Sequence, residues 1–248
     1  WLQSEEPARS SVVVNIAGFD VFLFRDGEVV WSARAQVGTP YRQTPLFRDD
    51  IRYLEINPTW TVPPGILRKD ILPKVRQDPG YLASRNIDLI DRNGQLVDPY
   101  SVDWSKYTRG APYTFRQRPG PNNALGLIKF MFPNEHFVFL HDTPSRALFG
   151  RSQRAFSSGC IRVERPFELA ELLLGDPDNW NAARFDAVLE SGRTTRVNLA
   201  EPMPILISYL TASLSEDGAA RFGPDVYERD PRVLAALNGE VQIELPEF

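Results

Sequence analysis

The chain of 248 residues has one cysteine, two histidines and two methionines. A solitary thiol excludes an internal disulfide and leaves the redox compartment unread. A reducing cytosol fits, and so does an oxidising compartment in which one thiol is kept for use. Positive charge is not in excess either: 28 basic against 32 acidic residues give −4, so the overall balance offers nothing to a nucleic acid, and electrostatic arguments have to be local. Long apolar runs are missing. The most apolar early stretch, Val12 to Phe24, is interrupted by Asn15, Gly18 and Asp20 and is far too short to span a membrane, so the chain as given is expected to be soluble. Its first six residues, WLQSEE, contain no initiator Met, no basic region and no apolar region, which reads as the start of a cut piece without a signal peptide. What is present is core material, 42% hydrophobic and 11% aromatic, ample for one large domain or a domain with a sizeable insertion.

Strand signals dominate. "SVVVNIAGFDVFLF" and "EVVWSARAQV" flank Arg25-Asp26-Gly27 and predict a hairpin, and Ile51 to Asn57 predicts another strand that ends in the proline-broken "NPTWTVPPG". Between about Pro63 and Asn123 the pattern changes. Ile66, Ile71, Leu72 and Val75 have helical spacing broken by Pro73, and polar, Gly- and Pro-punctuated sequence follows, so this stretch is read as an insertion, part helix and part loop, rather than another strand pair. "LGLIKFMF" and "HFVFLH" are again strands; period two puts Phe137, Phe139 and His141 on one face and His136 on the other. Helices are predicted from Pro166 to Leu174, ended by Gly175, and from Asn179 to Ser191; the tail returns to strand with Glu216-Asp217-Gly218 as its turn. No internal repeat appears.

The chemistry to weigh is in "SSGCIRV". A cysteine nucleophile needs a thiolate, which at neutral pH requires a cationic neighbour or backbone dipoles. His141, at a predicted strand end 19 positions before Cys160, is the candidate base, and the loop between them could bring the two together. Gly159 permits unusual backbone geometry and could aim N–H groups at an oxyanion, with the Ser157 and Ser158 hydroxyls beside it. From His141 to Arg165 five arginines (146, 151, 154, 162, 165) outnumber two acids (Asp142, Glu164), a local +3 that would draw a carboxylate-bearing substrate. Each feature has a plainer reading. Cys160 between Gly and Ile fits a small buried hydrophobe, a strand-end His fits a structural hydrogen bond, an arginine cluster fits a solvated face, and Trp60 among prolines fits a core anchor. Pattern alone leaves both readings open.

"HDTPSRALFGRSQRAFSSGCIRV" resembles the active-site signature of the YkuD-type L,D-transpeptidases, in which a His is followed after a loop by Ser, a variable residue, Gly-Cys, an aliphatic residue and Arg. "NPTWTVPPGILRKDILPKVRQDPGYL", "LGLIKFMFPN" and "SYLTASLSEDGAARFGPDVYERD" resemble other blocks of the large Gram-negative members. The resemblance implies a mainly β, α+β fold: a YkuD-like β-sandwich core over residues 10–248, with an inserted helical and loop cap at 63–122 and a few peripheral helices. It implies Cys160 as nucleophile, His141 as base, the Asp142 backbone as orienter of the imidazole, and Arg162 as the family's Arg after Gly-Cys, either touching substrate or bracing the loop. Ser158 and Gly159 remain the candidates near the oxyanion, and Trp60 is the candidate substrate wall. Many members have His where Ser158 stands, which leaves the oxyanion partners unassigned.

The implied reaction is attack on the third stem residue of a peptidoglycan tetrapeptide, release of D-Ala, and resolution of the thioester by an acceptor stem as a 3→3 cross-link, in the periplasm of a Gram-negative cell. Peptidoglycan stems are then both donor and acceptor, and carbapenem β-lactams are the expected covalent inhibitors. Such a ping-pong transfer needs no metal or organic cofactor. The same thioester would serve an L,D-carboxypeptidase, or the attachment of a lipoprotein through a lysine amine. An idle peptidoglycan-binding module would leave Cys160 unreactive.

Overall fold

Alternating burial sets the strands of the protein, which the computed structural model describes at residues 8–214 and 218–239. In β2 (Asp20–Arg25) Val21 and Leu23 point inward, and in β3 (Glu28–Gly38) Trp31, Ala33, Ala35 and Val37 do so. Asp26 and Gly27 form the expected turn between them, both at positive φ, with Arg25 opposite Glu28. β1 (Ser11–Asn15) lies between β2 and the long β12 (Thr195–Ser208), and its four leading residues are all buried.

The remaining core strands are β4 (Phe47–Ile56), β8 (Ile128–Met131), β9 (Leu140–His141), β10 (Ala155–Ser157) and β11 (Ile161–Val163). They complete one sheet in the order β10-β3-β11-β9-β8-β4-β12-β1-β2, and β2 pairs again with β3, so the sheet closes on itself. This is the mainly β core the sequence predicts; the layers are continuous because β3 pairs with β2 along one stretch and with β11 along another. Its interior holds Leu54, Phe130, Leu140, Ile161 and Val163, all fully buried.

α4 (Pro166–Leu174) and α5 (Ala182–Glu190) pack on the outside through Leu169, Ala170, Leu173, Phe185 and Val188. α4 stops at Gly175 in the left-handed region. The Asn181 side chain caps α5 by accepting from Arg184 N–H at 3.1 Å.

A second apolar cluster gathers Val62, Leu67, Ile71, Leu72, Val75, Leu82, Ile87, Leu89, Trp104 and Phe115. Two findings here differ from the sequence reading of the 63–122 insertion. The segment is not only helix and loop: its β6 (Ile87–Ile90) and β7 (Thr114–Gln117) pair with each other, and β7 pairs in turn with β5 (Trp60–Thr61) just ahead of the segment, making a three-stranded sheet. Strands of two to four residues leave too little alternation to read. Nor does Pro73 break the helix. α1 (Pro64–Ile66) passes into a π turn, Leu67–Ile71, and on into α2 (Leu72–Gln77), with Leu72 N–H on Leu67 O. The π turn shifts the hydrogen-bond register just where the proline brings no N–H.

"HFVFLH" also departs from expectation, because only Leu140–His141 is strand. Asn134 explains it: its Oδ1 accepts from His136 and Val138 N–H (3.1 and 3.2 Å), and its Nδ2 donates to Phe132 O and Val138 O, folding the segment into a turn. Phe137 takes positive φ there and is 78% exposed. Near the other end, β13 (Ala212–Leu214) pairs with β14 (Ala220–Phe222), while Glu216 and Asp217 of the expected turn lie outside the described residues.

Candidate active site

Strand register assembles the site. Across β4, β8, β9, β11 and β3 the aligned residues are Glu55, Lys129, His141, Arg162 and Gln36. Residues opposite one another share a face, so a polar row runs over the core-forming sheet on the face away from Leu54, Phe130, Leu140 and Ile161. Cys160 precedes Arg162 by two positions and falls on the same face as His141, one strand over. With strands about 4.8 Å apart and a two-residue step of about 6.6 Å, the two Cα atoms stand roughly 8 Å apart, which their side chains can span.

His141 is 3% exposed. Its Nδ1 lies 2.5 Å from the Asp142 carbonyl, so the ring donates there and keeps a lone pair on Nε2. Burial first, then the positive charges of Arg162 and Lys129, hold its pKa down at about 3, against the pull of the Asp142 and Leu125 carbonyls. Cys160 is partly exposed as a residue, but its sulfur is shielded. Desolvation pushes the thiol up, opposed by the Phe139 backbone and by Lys129 and Arg162, and Sγ sits 3.9 Å from the Phe137 carbonyl. The pair therefore rests as thiol and neutral imidazole, with two cations beside it instead of an imidazolium.

Lys129 is the residue the sequence reading missed. Its ammonium lies 4.0 Å from Glu55 Oε2 and 4.0 Å above the Phe139 ring, and burial lowers its pKa. A single lysine inside the apolar run "LGLIKFMF" was the available signal. Arg162 donates to Gln36 Oε1 at 3.1 Å, while its Nε is buried and has no partner among the described residues.

The loop before Cys160 is tightly bonded. Ser157 Oγ donates to Cys160 O (2.6 Å) and accepts from Gly159 N–H (3.1 Å). The Gly159 N–H expected to face an oxyanion is thus engaged, and the value of Gly159 is its φ of +117°, which turns the chain into β11. Ser158 Oγ is held by Arg42 at 2.8 Å, and the same guanidinium pairs with Asp70 of the π turn at 2.8 Å, tying that turn to the cysteine loop.

The arginine cluster separates. Arg146 pairs with Asp142, Arg165 with Glu168, and Arg154 with Asp20 and backbone carbonyls; of the five, Arg162 stands at the thiol. Ion pairs thus occupy three of the five arginines. Trp60 packs partly buried against the cap cluster.

Gly126 supports Asp142 from below. At φ +64°, a Cβ there would lie 2.5 Å from Asp142 Cβ and Oδ2 and 2.6 Å from its carbonyl carbon. Gly126→Ala should displace the carbonyl that holds His141 Nδ1, costing about 2 kcal/mol of stability, which denaturant unfolding checks.

A family model described as YkuD, L,D-transpeptidase catalytic domain, matches residues 9–198. A Haemophilus influenzae protein whose name assigns it to the L,D-transpeptidases is 37% identical over 233 residues, covering 94% of this chain and 47% of that protein. The chain thus spans about half the length of this curated relative. Among solved structures, an L,D-transpeptidase from Mycobacterium smegmatis shares 16% identity at a TM-score of 0.35, covering 81% of this chain and 59% of its own. LdtMt1 in complex with imipenem shares 18% identity at a TM-score of 0.34, covering 80% and 58%.

Proposed function

Because the chain belongs to the YkuD family of L,D-transpeptidase catalytic domains, we propose that it is a cysteine acyltransferase of peptidoglycan, with Cys160 as nucleophile and His141 as base. The observation that carries this reading is the pairing register: it sets the chain's single thiol on one face with a buried imidazole whose Nδ1 is committed to a backbone carbonyl.

Sγ attacks the carbonyl carbon of the third stem residue while its proton passes to Nε2 of His141. The oxyanion that forms is met by backbone N–H, with that of Cys160 the nearest candidate, and by the field of Lys129 and Arg162. Collapse breaks the C–N bond, and D-Ala leaves with the proton from His141. A thioester remains. The amine of an acceptor stem attacks it, gives a proton to His141 and takes the acyl group, and the sulfur leaves and recovers its proton. The product is a 3→3 cross-link. Peptidoglycan stems are donor and acceptor, the place of work is the periplasm of a Gram-negative cell, and carbapenems acylate the same sulfur.

Incubating the chain with a disaccharide tetrapeptide and analysing products by mass spectrometry tests the reading. Dimers accompanied by D-Ala are expected. Tripeptide with no dimer would replace cross-linking by hydrolysis, and unchanged substrate would overturn acyl transfer altogether.

A further inference from the structure

A phenol hydroxyl occupies a backbone position beside the nucleophile. β3 and β11 run antiparallel with Gln36 opposite Arg162, so continuing the register by two residues sets Gly38 opposite Cys160. That pair would ordinarily exchange backbone hydrogen bonds. Instead Gly38 N–H donates to Thr44 Oγ1 at 2.9 Å, and Gly38 O accepts from Tyr227 Oη at 2.8 Å. The Tyr227 hydroxyl also accepts from Thr44 N–H at 3.0 Å, and Thr44 Oγ1 donates to Gly159 O at 2.8 Å. Thr44 is fully buried and Tyr227 is 6% exposed. With Gly38 taken up in this way, the Cys160 N–H has no intramolecular partner among the described residues.

Tyr227 is itself held on several sides. Its ring stacks on Tyr209 with centroids 5.4 Å apart, and its N–H donates to Tyr209 Oη at 2.8 Å. Tyr209 Oη donates to Asp225 Oδ1 at 2.6 Å, and Asp225 also accepts from the N–H groups of Arg229 and Asp230. The Arg229 guanidinium covers both rings and reaches Gln43 Oε1 at 3.2 Å. This assembly follows residue 198, where the family match ends.

We propose that Tyr227 is a positioning residue for acyl transfer: its hydroxyl replaces Cys160 as the partner of Gly38, and so keeps the Cys160 N–H free to bind the oxyanion. The inference rests on the reading of Cys160 as the acylated nucleophile. It implies that the C-terminal segment completes the site through the Thr44 loop and touches no substrate.

Two reagents that add to the same sulfur separate this role from a general loosening of the loop. Imipenem acylates through a carbonyl that becomes an oxyanion; iodoacetamide alkylates at a saturated carbon, expels iodide and needs no oxyanion donor. In Tyr227→Phe, imipenem addition followed by mass spectrometry should slow by about 10- to 100-fold, with iodoacetamide addition unchanged. Thr44→Val removes both the acceptor of the Gly38 N–H and the bond to Gly159 O, which lets Gly38 resume its pairing with Cys160; it should show the same split and serves if the first variant does not fold. Equal slowing with both reagents, or no slowing with either, overturns the inference. A native chain that iodoacetamide alkylates at Cys160 and imipenem never acylates would instead remove the underlying reading.

Discussion

Cys160→Ser should abolish acyl transfer, lowering D-Ala release and imipenem addition by about 10⁴-fold or more, although serine is nearly isosteric with the cysteine. The reason lies in the base. His141 is held at a pKa of about 3 by burial and by the charges of Arg162 and Lys129, so as a proton acceptor it is weak. A thiol tolerates this, since it ionises more readily than a hydroxyl and its sulfur is intrinsically nucleophilic. A serine hydroxyl would need a base several powers of ten stronger. The substitution should leave the fold intact, because serine is nearly the same size and the Cys160 sulfur makes only a long 3.9 Å contact to the Phe137 carbonyl that a hydroxyl can replace. Unchanged thermal unfolding together with lost activity is the expected combination. Retention of even one percent of native activity in Cys160→Ser would mean that the sulfur is not the acyl carrier.

Cys160 and His141 stood out as candidates because they are scarce, but pattern alone left them open and the family resemblance joined them. The alternation read over HFVFLH holds only at Leu140–His141, and the pairing of β9 beside β11 is what puts the two residues on one face. The environment that tunes them was not legible. Lys129 reaches the thiol only because β8 lies next to β9, and Thr44 and Tyr227 meet at Gly38 across 183 residues of sequence. Local pattern cannot carry such contacts. Charge counting misled for a related reason: Arg146, Arg154 and Arg165 each find a carboxylate once the chain folds, so a run of like charges along the sequence became three separate ion pairs. The cap shows the converse. Its helical spacing was readable at Ile71, Leu72 and Val75, but whether Pro73 ended the helix depended on a π turn, and its sheet joins strands of two to four residues.

His141→Asn should separate the two duties of the imidazole. An asparagine amide can still donate to the Asp142 carbonyl, which lies 2.5 Å from Nδ1, but offers no basic nitrogen in place of Nε2. Imipenem addition at pH 7 should fall by about 10³-fold. The pH profiles should differ in shape as well. In the native chain the imidazole is neutral down to its pKa of about 3, so acylation should hold nearly level from pH 7 to pH 5, where an ordinary histidine would already be protonated. In the variant the rate should climb steadily with pH, because the only nucleophile left is thiolate formed without help from a thiol whose pKa is raised by burial. Stability should diverge too. A histidine whose folded pKa lies below its unfolded value of about 6.5 leaves the unfolded chain binding more protons in that interval, so folding weakens as pH falls from 6.5 toward 3, by up to about 1.4 kcal/mol per pH unit. Asparagine has no such term. The variant should therefore gain on the native chain in denaturant midpoints as the pH is lowered below 6, while its activity stays low throughout. A native acid limb near pH 6.5, or parallel stability curves for the two proteins, would show that the imidazole is not buried as a neutral base.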